Sequence, residues 1–264
     1  MPVRVEADSS AFEALVDPGA QLTRLGEGYQ FSEGPVWSAR ERCLYFSDIP
    51  SDDRWRWSAE RGMELDAHLT FKANGLVIDT HGALVACEQV SSCVVRMRPD
   101  GARELLAYHH GGHYLNSPND IVVRAADGAI YFTDPDYGRW NDWIGQERSR
   151  ELGFRGVYRV PDRSDGEAQL LVDEDEFDQP NGLCFSPDEH VLYVNDSDNA
   201  HIKAFDVAPS GRIRTTQLDS CSQATRAPCA SMTSPFALNV RCASSSIPRS
   251  ALQRQRSSEG MSEK

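Results

Sequence analysis

Long apolar runs are missing from this 264-residue sequence, where nothing approaches the roughly 18–20 uncharged apolar residues of a membrane-spanning helix. An apolar period of 3.6 residues is missing too, so amphipathic helices are not expected to carry the fold. Basic charge is in deficit. With 27 Lys and Arg against 40 Asp and Glu, the formal net charge is −13, which excludes the broad basic face that a nucleic-acid partner requires. Met1 to Ser10 lacks the basic-then-apolar pattern of a secretory signal, and the expectation is a soluble, cytoplasmic protein with no membrane partner. Seven cysteines (Cys43, Cys87, Cys93, Cys184, Cys221, Cys229, Cys242) include no C-x-x-C pair, which argues against a zinc knuckle and for buried thiols in a reducing compartment. No Gly-x-Ser-x-Gly elbow is present, so a serine hydrolase is disfavoured.

What is present reads as globular: 40% apolar residues, 25% charged residues and 23 aromatics. The composition nevertheless changes near residue 212. Residues 212–264 hold 8 basic and 3 acidic residues, 11 serines and one aromatic, Phe236, against 19 basic and 37 acidic residues in 1–211. So little apolar surface predicts a disordered tail.

Within residues 1–211 one pattern occurs four times. Glu33-Gly34-Pro35-Val36-Trp37 leads to Leu44-Tyr45-Phe46-Ser47-Asp48, and Asn74-Gly75-Leu76-Val77-Ile78 leads to Leu84-Val85-Ala86-Cys87-Glu88. Asn119-Asp120-Ile121-Val122-Val123 leads to Ile130-Tyr131-Phe132-Thr133-Asp134, and Asn181-Gly182-Leu183-Cys184-Phe185 leads to Leu192-Tyr193-Val194-Asn195-Asp196. From leader to second strand the gaps are 11, 10, 11 and 11 residues, and the leaders themselves are 41, 45 and 62 residues apart. Each unit reads as a short apolar strand, a polar turn and an aromatic or β-branched strand, followed by a more polar outer strand. Four-stranded units at that period predict an all-β, propeller-type fold, with a generic β-sandwich as the competing architecture.

Inner strands of propeller blades surround one channel, so Glu33, Asn74, Asn119 and Asn181 should point towards a common axis. Their carboxylate and amide oxygens suit a hard divalent cation. Each Asn-Gly or Asn-Asp taken alone also reads as a turn former.

The stretches Ser32-Glu33-Gly34-Pro35-Val36-Trp37, Asn116-Ser117-Pro118-Asn119-Asp120, Tyr131 to Gly138 and Gln179 to Glu189 resemble, in order, the gluconolactonase/regucalcin (senescence marker protein) family. The resemblance covers about residues 20–211 and implies a six-bladed propeller. It also implies a sugar-lactone hydrolase that uses Ca2+ or another divalent cation such as Zn2+, Mg2+ or Mn2+. By motif it assigns Glu33, Asn119 and Asn181 to the metal, and Asn74, Glu88 and Asn116 to the substrate pocket. The implied partner is a small lactone; an alternative is a non-catalytic metal- or ligand-binding propeller, or a related phosphotriesterase.

The family's fifth-blade Pro-Asp-Gly, expected near residues 226–232 as ligand and general base, is absent, which leaves no catalytic residue assigned. The sequence therefore divides into an N-terminal segment 1–18, an incomplete propeller 19–211 with about four recognisable blades, and the tail 212–264. The abrupt change reads as a frame-shifted or mis-spliced segment, with a natural divergent tail as the competing reading, and a chain without the fifth-blade Asp is expected to be inactive or poorly folded. His109-His110-Gly111-Gly112-His113 reads as an exposed loop, Asp173 to Glu176 as a solvated acidic turn, and Trp140 and Trp143 as a roof over the pocket or packing against a blade.

Overall fold

The computed structural model describes residues 22–172 and 174–215. The expected tail, the expected fifth-blade position and Cys221, Cys229 and Cys242 lie outside the described residues. Residues 22–29 run without regular structure. Among the described residues no helix is long and apolar enough to cross a membrane.

Four antiparallel sheets follow one another along the chain. The first holds β1 (Ser32–Ser38), β2 (Cys43–Asp48), β3 (Asp53–Ser58) and β4 (Gly62–His68), paired in that order. The second holds β5 (Ala73–Ile78), β6 (Leu84–Glu88), β7 (Cys93–Met97) and β8 (Arg103–His110), with β9 (His113–Tyr114) hairpinned onto β8 through Gly111-Gly112. The third contains β10 (Ile121–Val123), β11 (Ile130–Asp134), β12 (Gly156–Val160) and β14 (Gln169–Leu170); the intervening β13 (Gly166–Glu167) crosses to pair in parallel with β8. The fourth holds β15 (Pro180–Phe185), β16 (Val191–Asp196), β17 (His201–Val207) and β18 (Ile213–Thr215). Strand β18 carries the fourth sheet past residue 211, where the composition begins to change.

The turns form for local reasons. Asp79 Oδ1 accepts the N–H groups of His81 (2.9 Å) and Ala83 (2.8 Å), and Gly82 takes the positive φ of +79° that this tight turn needs. Asp127 with Gly128, and Ser186 with Asp188, repeat the device in the third and fourth sheets.

The core lies between the sheets. Val85, Val94, Leu106, Ile121, Phe132 and Tyr158 join the second sheet to the third. Tyr131, Val157, Phe177, Leu192, Val194 and Phe205 join the third to the fourth, and Cys43, Tyr45, Leu76, Ala86 and Val95 join the first to the second. Alternate residues of one strand therefore serve opposite neighbours: Ile130 and Phe132 face back, Tyr131 faces forward. That is why β6 and β11 are buried at every position, whereas β16 alternates half-buried and buried. Consecutive blades sandwiched face to face in this way form an all-β fold of the propeller type. The free thiols of Cys43, Cys87 and Cys93 are buried in these layers, and burial pushes all three pKa values up.

Candidate active site

The first strand of each sheet neighbours the first strand of the next, and their N-terminal ends meet tightly. Gly75 N–H donates to Asn119 O (2.7 Å), and a Cβ on Gly75 would stand 2.6 Å from that oxygen and 2.7 Å from Asp120 Cα. A Cβ on Gly34 would stand 2.1 Å from Asn74 O. Glycine after the leader is thus a demand of strand convergence, in addition to any turn it makes.

Second strands lock the convergence. Ser47 Oγ donates to Asn74 O (2.8 Å), Cys87 Sγ lies 3.9 Å from Asp120 O, and Thr133 Oγ1 donates to Asn181 O (2.7 Å). Each sheet thereby fixes the leader region of its successor. Asn195 occupies the matching position of the fourth sheet, next to the Asp that ends β16.

Those terminal acids hold the loops that deliver the leaders. Asp48 accepts the N–H groups of Gln30 and Phe31, Asp134 those of Asn116 and Ser117 (2.8 Å each), and Asp196 those of Asp178 and Gln179. Asp196 also takes Asp198 N, Asn199 N and Asn199 Nδ2, which commits it to the loop and not to the axis.

The leaders themselves are differently placed. Asn74 and Asn119 are buried, and neither amide side chain bonds a described residue. The Asn181 side chain meets the Tyr137 hydroxyl, whose pKa burial pushes up to about 12. Glu33 is half-buried and ion-paired with no described residue; desolvation first, then the negative charge of Asp120, raises its pKa to about 7. Desolvation likewise raises Asp120 to about 6, although its Oδ2 accepts Leu183 N–H at 3.1 Å.

Asp120 is the group that reading the sequence missed. It stands where the other three units carry Gly34, Gly75 and Gly182, and that single departure from the repeat was its signal. It gives the site a second carboxylate besides Glu33.

Two residues expected in the substrate pocket are engaged elsewhere. Asn116 is fully buried, and its Nδ2 donates to Asp134 O (3.2 Å) and Phe154 O (2.9 Å), so the amide pins a loop. Glu88, 1% exposed, accepts from Arg103 and from Ser91 Oγ, while the Arg103 guanidinium lies 4.4 Å above the Phe71 ring. Residues Tyr137 to Ser149, inserted after β11, lean across the delivering loops. The Trp143 ring packs on Phe31 at 5.5 Å, Trp143 O accepts Lys72 Nζ (3.3 Å), and Ile144 O accepts Gln89 Nε2 (2.9 Å). Trp140 packs on Tyr137 and donates to Asp136.

Among the described residues no group of three or more His, Cys, Asp or Glu side chains is gathered as a metal site. A cation here depends on amide oxygens. Two recessed carboxylates without a counter-charge, beside amides that bond no described neighbour, fit a hard divalent ion and not a thiolate-seeking one.

A model of the SMP-30/Gluconolactonase/LRE-like region matches residues 31–226. The gluconolactonase of Zymomonas mobilis subsp. mobilis is 30% identical over 206 residues, which cover 73% of this chain and 56% of that protein. The chain thus spans little more than half the length of this curated relative. A solved gluconolactonase from Xanthomonas campestris is 34% identical with a TM-score of 0.73, over 81% of this chain and 69% of that one. The calcium-binding protein regucalcin from Agrobacterium tumefaciens, 17% identical over 72% of this chain and 61% of its own, shares the fold with a TM-score of 0.54.

Proposed function

Because the chain belongs to the SMP-30/gluconolactonase/LRE-like family, we propose that it is a divalent-metal-dependent hydrolase that opens sugar lactones. The observation carrying this reading is the pair of recessed carboxylates, Glu33 and Asp120, at the convergence of four inner strands. Glu33, Asn119 and Asn181 would hold the cation, which when bound supplies Lewis-acid polarisation of the lactone carbonyl.

The protein's own groups do the rest. Asp120 takes a proton from water, whose oxygen bonds to the carbonyl carbon; the ring C–O bond then breaks and the proton passes to the leaving ring oxygen. Its raised pKa of about 6 leaves it ionised at neutral pH while strengthening it as a base. Asp120 so replaces the absent fifth-blade Asp. Asn74, the neighbour of Gly75 at that convergence, would orient the lactone hydroxyls, and the insertion carrying Trp143 on Phe31 would border the substrate.

The test is hydrolysis of glucono-δ-lactone by the full chain, followed by acid release, with Ca2+ and after EDTA. Cation-dependent turnover that falls about 10²-fold or more in Asp120→Asn is expected. Cation binding without turnover would make the chain a non-catalytic binding propeller, and faster turnover of an organophosphate would make it a phosphotriesterase.

A further inference from the structure

Away from the axis, two arginines meet at a cavity of about 260 Å³, lined by Val90, Ser91, Ser92, Tyr114, Arg139, Arg148, Ser149 and Glu151. Arg139 is 6% exposed. Its guanidinium donates only to neutral acceptors: Asn116 O (2.6 Å), Leu115 O, Ser149 O and Ser92 Oγ (3.2 Å). Arg148 donates to Gln89 O (2.7 Å), Gln146 O (3.3 Å) and the same Ser92 Oγ (2.8 Å), which leaves Nε–H and one Nη1–H bonded to no described residue.

Neither guanidinium has a carboxylate within the 4.0 Å of an ion pair among the described residues. Other recessed arginines are matched: Arg54 to Asp66 at 2.7 Å, Arg96 to Asp79 at 2.6 Å, and Arg124 to Asp127 at 3.4 Å. Residues 1–211 carry 37 acidic groups against 19 basic ones, so carboxylates are plentiful and these two cations still lack one. The two like charges share one serine hydroxyl and repel each other, and the carboxylates that act on them, Asp134 on both and Glu151 and Asp136 on Arg139, do so from beyond ion-pair distance.

We propose that Arg139 and Arg148, held side by side on Ser92 Oγ (whose own proton goes to Asn116 O at 2.8 Å), form a binding site for a small oxyanion, the phosphate or carboxylate group of a metabolite or the free ion. Arg148 supplies charge-assisted N–H donors from the open side, and Arg139 supplies positive charge from the wall. Glu151 also lines the cavity, with one oxygen on Tyr114 N–H (2.8 Å), and its charge disfavours any anion not held directly on the guanidinium groups. The site shares no side chain with Glu33, Asn119, Asp120 or Asn181, and does not depend on the lactonase reading.

Calorimetric titration of the full chain at constant ionic strength, with inorganic phosphate and separately with acetate, tests this. Saturable binding is expected, weakened about tenfold or more in Arg148→Ala and unchanged in Arg163→Ala. Arg148→Lys, which keeps the charge and loses the planar fork, gives an intermediate loss and serves if the alanine variant does not fold by circular dichroism. Tighter phosphate than acetate assigns the site to phosphoryl groups, and the reverse to carboxylates. Absence of saturable binding of either ion to the parent chain overturns the proposal. So does binding that survives both Arg148 substitutions.

Discussion

Thr133 is buried, and its hydroxyl does two jobs: it donates to Asn181 O at 2.7 Å and accepts Asp120 N–H at 3.1 Å. Valine has nearly the same shape, so Thr133→Val opens no cavity and isolates the polar effect. It strands one acceptor and weakens the bonding of one donor, each at about 1–3 kcal/mol, and the expected loss is about 2–5 kcal/mol of unfolding free energy. Ser47→Ala at the matching position of the first sheet removes a single bond, to Asn74 O, and should cost about half as much. Urea unfolding of the two variants at one pH, with unchanged m-values, measures both. The Thr133 variant should also bind Ca2+ more weakly, because Asn181 loses its anchor. A Thr133→Val loss below about 0.5 kcal/mol, or a Ser47→Ala loss exceeding it, would refute the claim that second strands lock the leaders.

The cation-free chain should lose stability between about pH 4 and pH 7 and level off above that. Burial raises Glu33 to about 7, Asp120 to about 6 and Asp134 to about 7, all above their unfolded values, so their contribution is complete at low pH and lost as pH rises through 6–7. Saturating Ca2+ should remove the Glu33 and Asp120 share; urea midpoints that are flat or rising with pH in EDTA would contradict this. Asp196→Ala deletes an acceptor of five hydrogen bonds and should cost about 3 kcal/mol or more in the same assay. Asp188→Ala, on an exposed turn, should leave the midpoint near the parent's. Glu88→Gln breaks the ion pair to Arg103 and should lower stability by about 2 kcal/mol while kcat/KM on a lactone stays within about twofold. Lost turnover at unchanged stability would return Glu88 to the pocket.

The four-sheet order was legible because each unit repeats its own turn chemistry and its own leader. The positions of Ser47, Cys87, Thr133 and Asn195 were visible in the same alignment of units, yet their role was not, since a hydroxyl one residue before an Asp says nothing of the next sheet until the sheets are stacked. The acids that end the second strands were similarly open to misreading. Asp48, Asp134 and Asp196 each follow by 18 residues a backbone N–H that they accept, or come within one residue of doing so, and this constant separation marks them as loop anchors.

Glu88 breaks that rule, and the second sheet shows the consequence. Its loop, Leu69 to Lys72, is held instead by Asp52, which accepts Lys72 N–H (2.6 Å) and Thr70 Oγ1 (3.1 Å) from the first sheet. Leu69, Phe71 and Lys72 all take positive φ there (+60°, +60° and +51°), a strain that persists only under such external restraint. The longer Glu88 side chain is thereby released to Arg103. A reading by resemblance assigns Glu88 to substrate because it sits in the right motif; the backbone of residues 69–72 assigns it to the scaffold, because the loop it would have anchored is anchored by Asp52. The same reasoning runs the other way for Asp120. Where the first two units need glycine to let inner strands pass and the last needs it beside Asn195, the third carries a carboxylate, with a hypothetical Gly75 Cβ at 3.0 Å from Oδ1 and a Gly182 Cβ at 3.7 Å from Oδ2. The tight side is Gly75, so Gly75→Ala should push first on the Asn119 carbonyl (2.6 Å) and the Asp120 backbone (2.7 Å) and displace both residues together.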